Sequence, residues 1–304
     1  METVAAVSIF SRSEEKRGVK YEYFLGDGNS KAYQAVVSSR PYDDVEVKKL
    51  ECIGHIQKRM GTRLRNYKLR NKSLILSDGK GLKGAGRLTD KVIDQLQGYY
   101  GGAIRSNQSN LDSMRRAIWA IWYHKMSSDD NPQHDLCPFP PDTWCAFRKA
   151  EVAGTVANYK HKNSIPLAIM EAIKPIFKDL SNPDLLRKCL HGKTQNVNEA
   201  FNNVLWTRLP KNVFVGRHTL ELGTYDAIAT FNDGNLSRIK VLEQLGIKDI
   251  GSNTICLLQQ LDTERINRAE IAVRNATKEA RLKKRRINLE QDEVEEEDYI
   301  PGGF

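Results

Sequence analysis

A chain of 304 residues has room for one large domain with an insertion or for two ordinary domains. Apolar residues make up 40% and charged residues 28%, which provides for a packed core and argues against wholesale disorder. No stretch approaches the roughly 18 consecutive apolar residues of a membrane helix, and the N-terminal METVAAVSIFSRSEEKRG is too short and too charged in its apolar run for a signal peptide. These features predict a soluble, intracellular protein with no membrane partner, and the five cysteines, odd in number, argue for a reducing compartment rather than a disulfide framework.

In chain order, residues 3–16 place Val4, Ala5, Ile9 and Phe10 at helical spacing with Gly18 as the stop. Tyr21–Leu25 reads as a buried strand ending at Gly26-Asp27-Gly28, Ser30–Ser38 returns as a helix, and Val45–Cys52 alternates as a second strand. Helix–strand–helix–strand at this spacing is an α/β unit with parallel strands. Residues 66–86 turn basic and Gly-rich and read as a flexible loop. Beyond them the chain is helical. Thr89 caps a helix through Val92, Ile93 and Leu96, and Leu111, Met114, Ile118, Ile121 and Trp122 keep an amphipathic period. Residues 127–147 form a Pro-rich irregular loop. Helices follow at 165–179 (interrupted by Pro175), 183–190, 197–206, 217–231 and 235–245, the last closed by Gly246. Residues 253–286 read as one increasingly basic helix ending in Lys283-Lys-Arg-Arg286, and an acidic tail, Glu290–Asp298, follows.

The positive charge is concentrated. Lys and Arg outnumber Asp and Glu 47 to 38 overall, while Lys58–Lys91 alone holds eleven basic and two acidic residues, a surplus of nine. Such a field suits nucleic-acid phosphates, with Lys58, Arg59, Arg63, Arg65, Lys68, Arg70, Lys72, Lys80, Lys83 and Arg87 as candidate contacts; a solvated surface loop gives the same letters.

Four constellations carry chemistry. Asp27, after a parallel strand and flanked by glycines, is placed for a divalent metal, and a plain Asp-Gly turn explains the same letters. Cys52-x2-His55 is half a zinc-site spacing where the second strand gives way to a helix, or a buried Cys beside a hydrogen-bonded His. His134-x2-Cys137-x7-Cys145 puts three soft ligands in a segment that cannot build a core of its own, so a structural Zn²⁺ would help it fold. Cys52, His55 or His124 could supply the fourth ligand. Glu199, in an Asn-rich helix, is either an acidic ligand or the partner of Asn196 in a capping box.

The order of these features resembles the Mutator-like transposases. Segments ECIGHIQKRMGTRLR, SDGKGLKGAGRLTDKVID, NPQHDLCP with DTWC, KCLHGKTQNVNEAFNNVLW and FNDGNLSRIKVLEQLGI are similar to the Mutator-like proteins of animal genomes. The resemblance implies a ribonuclease-H-like fold whose three acids hold two divalent ions, Mg²⁺ or Mn²⁺, for DNA cleavage and strand transfer. Asp27 matches the second acid, Glu199 the third, and Cys52 with His55 the (C/D)-x2-H motif after the second acid. No Asp precedes Asp27, and Glu2, Glu14, Glu15 and Glu22 do not end a convincing strand. The expectation is therefore an α/β fold with an incomplete ribonuclease-H-like core, its first strands missing, a large mainly α-helical insertion and C-terminal helices. Its segments are a partial core at 1–65, an insertion with the basic loop and Cys/His loop at 66–190, the third-acid helix and its successors at 191–250, a basic helix at 251–287 and an acidic tail at 288–304. The resemblance implies DNA partners (transposon ends and target), a homo-oligomer and the nucleus, with catalysis by this chain alone not expected. A non-catalytic DNA-binding protein and a zinc-stabilised helical interaction protein are the alternatives.

Overall fold

The computed structural model describes residues 2–26, 30–141, 143–162, 164–247 and 249–275. Asp27, the Lys283–Arg286 run and the acidic tail lie outside the described residues. The chain divides into two compact units, residues 1–196 and 197–304.

The first unit opens with the expected α/β element. α1 (Glu2–Ser11) and α2 (Ser13–Arg17) precede β1 (Tyr23–Gly26), and α3 (Ser30–Ser38) returns the chain to β2 (Lys48–Glu51). Gly18 ends α2 at φ 63, a left-handed conformation that favours glycine. β1 and β2 pair in parallel, Tyr23 opposite Lys48 and Gly26 opposite Glu51, and among the described residues they form a two-stranded sheet. Phe10, Val36, Tyr42 and Val47 close a small core on this unit, with Tyr21, Phe24 and Tyr33 packed against it. The Tyr42 hydroxyl ties its parts together, lying 2.6 Å from Ser13 Oγ and accepting from the Tyr21 amide at 2.9 Å.

A larger helical body follows, made of α4 (Ile53–Arg70), α5 (Asp90–Arg105), α6 (Leu111–Met126), α7 (Ala146–Val152), α8 (Leu167–Leu180) and α9 (Pro183–Arg187). α4 packs on α5 and α8, and α6 on α5, α8 and α9. The apolar stripes read from the sequence meet here: Ile56, Met60 and Leu64, Ile93, Leu96 and Tyr100, Ile118 and Trp122, and Ile173 and Phe177 share one buried cluster. Thr89 caps α5 by accepting from the Val92 amide at 3.2 Å, as its position predicts. Tyr100 and Trp122 bury their polar atoms satisfied, donating to the carbonyls of Leu180 at 2.9 Å and Met170 at 3.2 Å. Gly61 and Gly101 let α4 and α5 come close: a Cβ on either would collide with Gln97 or Gln57.

Three local expectations are revised. α4 runs to Arg70 rather than stopping near residue 65, because Leu64 is buried and Tyr67 packs against the core on the inner face while the charges turn outward. α8 continues through Pro175, its inner face holding Ile173 and Phe177 in the core on both sides of the proline. The Gly-rich segment after α4 is built rather than loose: Leu82 and Leu88 are buried, and Arg87, 6% exposed, grips Asp78 at 2.5 Å and the Gly81 carbonyl at 2.5 Å.

The end of the first unit returns to the sheet. The Glu51 amide donates to Lys188 O at 3.0 Å and the Ile53 amide to Lys193 O at 3.3 Å. Gln195 reaches both strand ends, its amide on Cys52 Sγ at 3.3 Å and its side chain on Leu25 O at 3.0 Å.

The second unit holds most of α10 (Asn196–Trp206), with α11 (Arg217–Asp233), α12 (Ser237–Gln244) and α13 (Ser252–Asn275). Asp262 of α13 accepts from the amides of Asn235 and Leu236 at 2.8 and 3.2 Å, anchoring the turn that leads into α12. Asp226 of α11 joins Arg238 and Arg208, and these guanidinium partners, Arg238 foremost, hold its carboxyl below the usual carboxylate range.

Candidate functional site

The Pro-rich segment between α6 and α8 builds a cluster of four ligating side chains. α6 ends with His124 in its last turn, and the irregular chain that follows brings His134 and Cys137 back against it. Cys145 joins from the start of α7, where its sulfur accepts from the Arg148 amide at 3.5 Å. The ligand atoms all lie within 4.8 Å of one another, and His134, Cys137 and Cys145 are buried. His124 Nδ1 is 3.2 Å from His134 Nδ1, and the N···S separations run from 3.4 to 3.7 Å. Zinc bonds of ordinary length in a tetrahedron would put two nitrogens about 3.3 Å apart and a nitrogen and a sulfur about 3.6 Å apart. The cluster therefore fits a metal such as zinc. Of the three candidates for a fourth ligand, His124 is the one in place.

Burial and mutual hydrogen bonding shift the two thiols in opposite directions. Cys145 is held below its ordinary value, first by a hydrogen bond from the Cys137 thiol and further by His124, His134 and the Arg148 amide. Cys137 is pushed up because it donates that bond and because it is buried. Two thiols and two imidazoles make a set that ligates soft and borderline cations once the thiol protons leave.

Behind His134 lies a second layer. Its Nε2 is 2.9 Å from His161 Nε2, and His161 Nδ1 is 2.7 Å from Asp129 Oδ1. With Nδ1 of His134 turned to the cluster, its Nε2 continues through His161 to the Asp129 carboxylate, the kind of outer partner that orients a ligating imidazole. Asp129 sits below the usual carboxylate range, chiefly through the His161 backbone amide and then through the imidazole. Phe147 stacks on the His134 ring at 4.2 Å, and Arg148 Nε donates to the His134 carbonyl at 3.1 Å. His161 and Asp129 carry no sequence signal of this role: 32 residues separate them, and the intervening chain is irregular or short helix.

Cys52 and His55 are elsewhere. Cys52 is buried at the start of α4 with its sulfur taken by the Gln195 amide, which fits the buried-Cys reading of that motif. His55 is half-buried in a shallow groove of about 380 Å³ with Lys58, Arg59, Thr62 and Arg63. Glu199 lies in the first turn of α10 with its side chain exposed.

The basic stretch separates into two sets. Arg59 is paired with Glu51 at 2.9 Å, Arg63 with Asp179 at 3.2 Å, Lys68 with Asp90 at 3.1 Å, Arg65 with Asp94 and Arg87 with Asp78. Lys58, Arg70, Lys72, Lys80 and Lys83 are exposed and make no ion pair among the described residues. Among the described residues no helix is long and apolar enough to cross a membrane.

The family model for the Mutator-like transposases matches residues 1–145. No curated protein and no solved structure matches the chain.

Proposed function

We propose, for a chain whose residues 1–145 match the family model for the Mutator-like transposases, a protein of DNA transposition that binds DNA on its basic surface and supplies Asp27 and Glu199 to metal-dependent strand cleavage and joining. The family match carries the reading, because it spans Asp27, the Cys52-x2-His55 motif and the whole Lys58–Lys91 stretch. The parallel β1–α3–β2 unit supports a ribonuclease-H-like core, since carboxyl ends of parallel strands are where α/β folds gather their reactive groups. Asp27 directly follows Gly26, the last residue of β1. Gln195 donates to Leu25 O, so the last residues of the first unit lie against the carboxyl end of β1.

Carboxylate oxygens suit Mg²⁺ or Mn²⁺. Asp27 and Glu199 would hold such ions, which would supply Lewis-acid chemistry at the scissile phosphate. The chain's other task is to hold the duplex by its backbone, a role suited to Lys58, Arg70, Lys72, Lys80 and Lys83, which gives affinity without reading sequence. His124, His134, Cys137 and Cys145 would hold a zinc in a structural part, because four protein ligands would leave no position for a reacting water. A DNA role of this kind implies the nucleus as its location.

Nicking and strand-transfer assays with Mg²⁺ or Mn²⁺, run beside salt-dependent duplex binding, test this reading. Binding that falls steeply with salt, and cleavage abolished by Asp27→Ala and by Glu199→Ala, are the expected results. Salt-sensitive binding with no cleavage dependent on Asp27 would leave the non-catalytic DNA-binding protein, which the five cations without ion pairs also favour. No duplex binding at low salt would overturn both.

A further inference from the structure

A second basic surface lies on α6, outside the Lys58–Lys91 stretch. A groove of about 430 Å³ runs along this helix, with Arg115, Trp119 and Tyr123 spaced four residues apart on one face. Arg116 and, from α8, Lys174 add two more cations, against Asp112 as the carboxylate in the lining. Leu136, between two cluster ligands in sequence, forms part of the wall, and Arg116 fastens that wall to α6 by donating to Asp135 O at 3.3 Å.

Arg115 Nε is buried without a hydrogen-bond partner among the described residues. Its guanidinium nonetheless lines the groove, where its terminal nitrogens are the donors an anion would meet. Lys174 is half-exposed, held over the Trp122 ring at 4.7 Å and beside Glu171 at 3.3 Å, so its ammonium faces the groove from the opposite helix. Converging cations ask for an anion, and the neighbouring half-buried Trp119 and Tyr123 ask for a flat group attached to it.

We infer that this groove binds single-stranded DNA, taking a backbone phosphate on Arg115 and Lys174 and an unpaired base against Trp119. The inference rests on the DNA reading above and adds a strand state to it. Stacking on an aromatic side chain needs a base free of its complement, which a duplex does not offer, and it tolerates any sequence. The guanidinium supplies the planar, paired donors that phosphate oxygens accept.

The test measures anisotropy of a labelled oligothymidine and of a labelled duplex on the zinc-loaded full chain, with intrinsic tryptophan fluorescence as a second readout. Arg115→Ala is expected to weaken oligothymidine binding about tenfold and duplex binding far less. Trp119→Phe, which preserves packing, is expected to remove most of the quenching that the oligonucleotide produces. Lys80→Ala with Lys83→Ala is expected to do the reverse, weakening duplex and sparing oligothymidine. Equal losses on both ligands from Arg115→Ala, or none on either, would overturn the groove assignment, as would quenching that survives Trp119→Phe. Oligothymidine binding that needs Arg115, in a protein that neither binds nor cleaves duplex, would uphold the groove and sink the transposition reading. Binding of neither ligand would overturn both.

Discussion

The helical body and the Pro-rich segment it carries are stabilised by opposite means. In α4, α5, α6 and α8, apolar side chains recur at helical spacing and bury one another, so folding needs nothing but water to leave. Between α6 and α8 the chain has no such period; polar ligands, stacked rings and one buried guanidinium converge on four ligating atoms. The contrast teaches that order in an irregular segment has to come from a few directional contacts, centred here on the four ligating atoms.

Metal removal is the sharpest way to break the comparison. A chelator, or Cys137→Ser, is expected to abolish binding of about one zinc per chain and open residues 127–161 to protease, while the core of Ile93, Tyr100 and Trp122 stays protected. Equal protection of both regions without metal would erase the distinction. In the apolar region, Phe177→Ala is expected to cost about 3–5 kcal/mol in denaturant unfolding and to leave zinc stoichiometry unchanged. His161→Ala acts on the second layer alone: metal affinity, read by competition with a chromogenic chelator, is expected to fall about 10–100-fold with the fold retained. The smallest effect lies in the second unit. The lowered Asp226 carboxyl stabilises the folded state fully above its ordinary value of 3.8, and that contribution is lost as pH falls through the lower folded value. Asp226→Asn is therefore expected to cost about 1 kcal/mol or less near neutral pH and to flatten the acid limb of the melting curve. An unchanged limb would assign the acid sensitivity to other carboxylates.

Much of the apolar region could be read from the letters. The Ser30–Ser38 helix, the parallel pair of strands, the Thr89 cap and the stripe from Leu111 to Trp122 follow from local periods and caps, and local rules set them. Three cluster ligands were visible because they crowd one loop, but the choice among Cys52, His55 and His124 was not, since it depends on which helix end the loop folds against. The same blindness covered His161 with Asp129, whose pairing spans 32 residues. Composition also misjudged the Gly-rich loop: its glycines suggested slackness, while Leu82, Leu88 and the Arg87–Asp78 pair give it a fixed interior. Charge density likewise located the basic stretch without showing that Arg59, Arg63, Arg65, Lys68 and Arg87 are already paired within the protein.

The contacts of Glu51 with Lys188 and of Ile53 with Lys193 mean that, among the described residues, the helical body leaves the sheet and rejoins it at one doorway. An excursion whose two ends meet is a graft: its length scarcely matters to the host, because each doubling of a closed loop adds only about 0.6 kcal/mol of closure entropy. Helices could be gained, lost or exchanged beyond that doorway while β1, β2 and Gln195 keep their places. A version in which residues 54–187 are replaced by a short Gly/Ser linker should accordingly preserve the strand pairing and the hold of Gln195 on Leu25, leaving the sheet and its guest free to change on separate schedules.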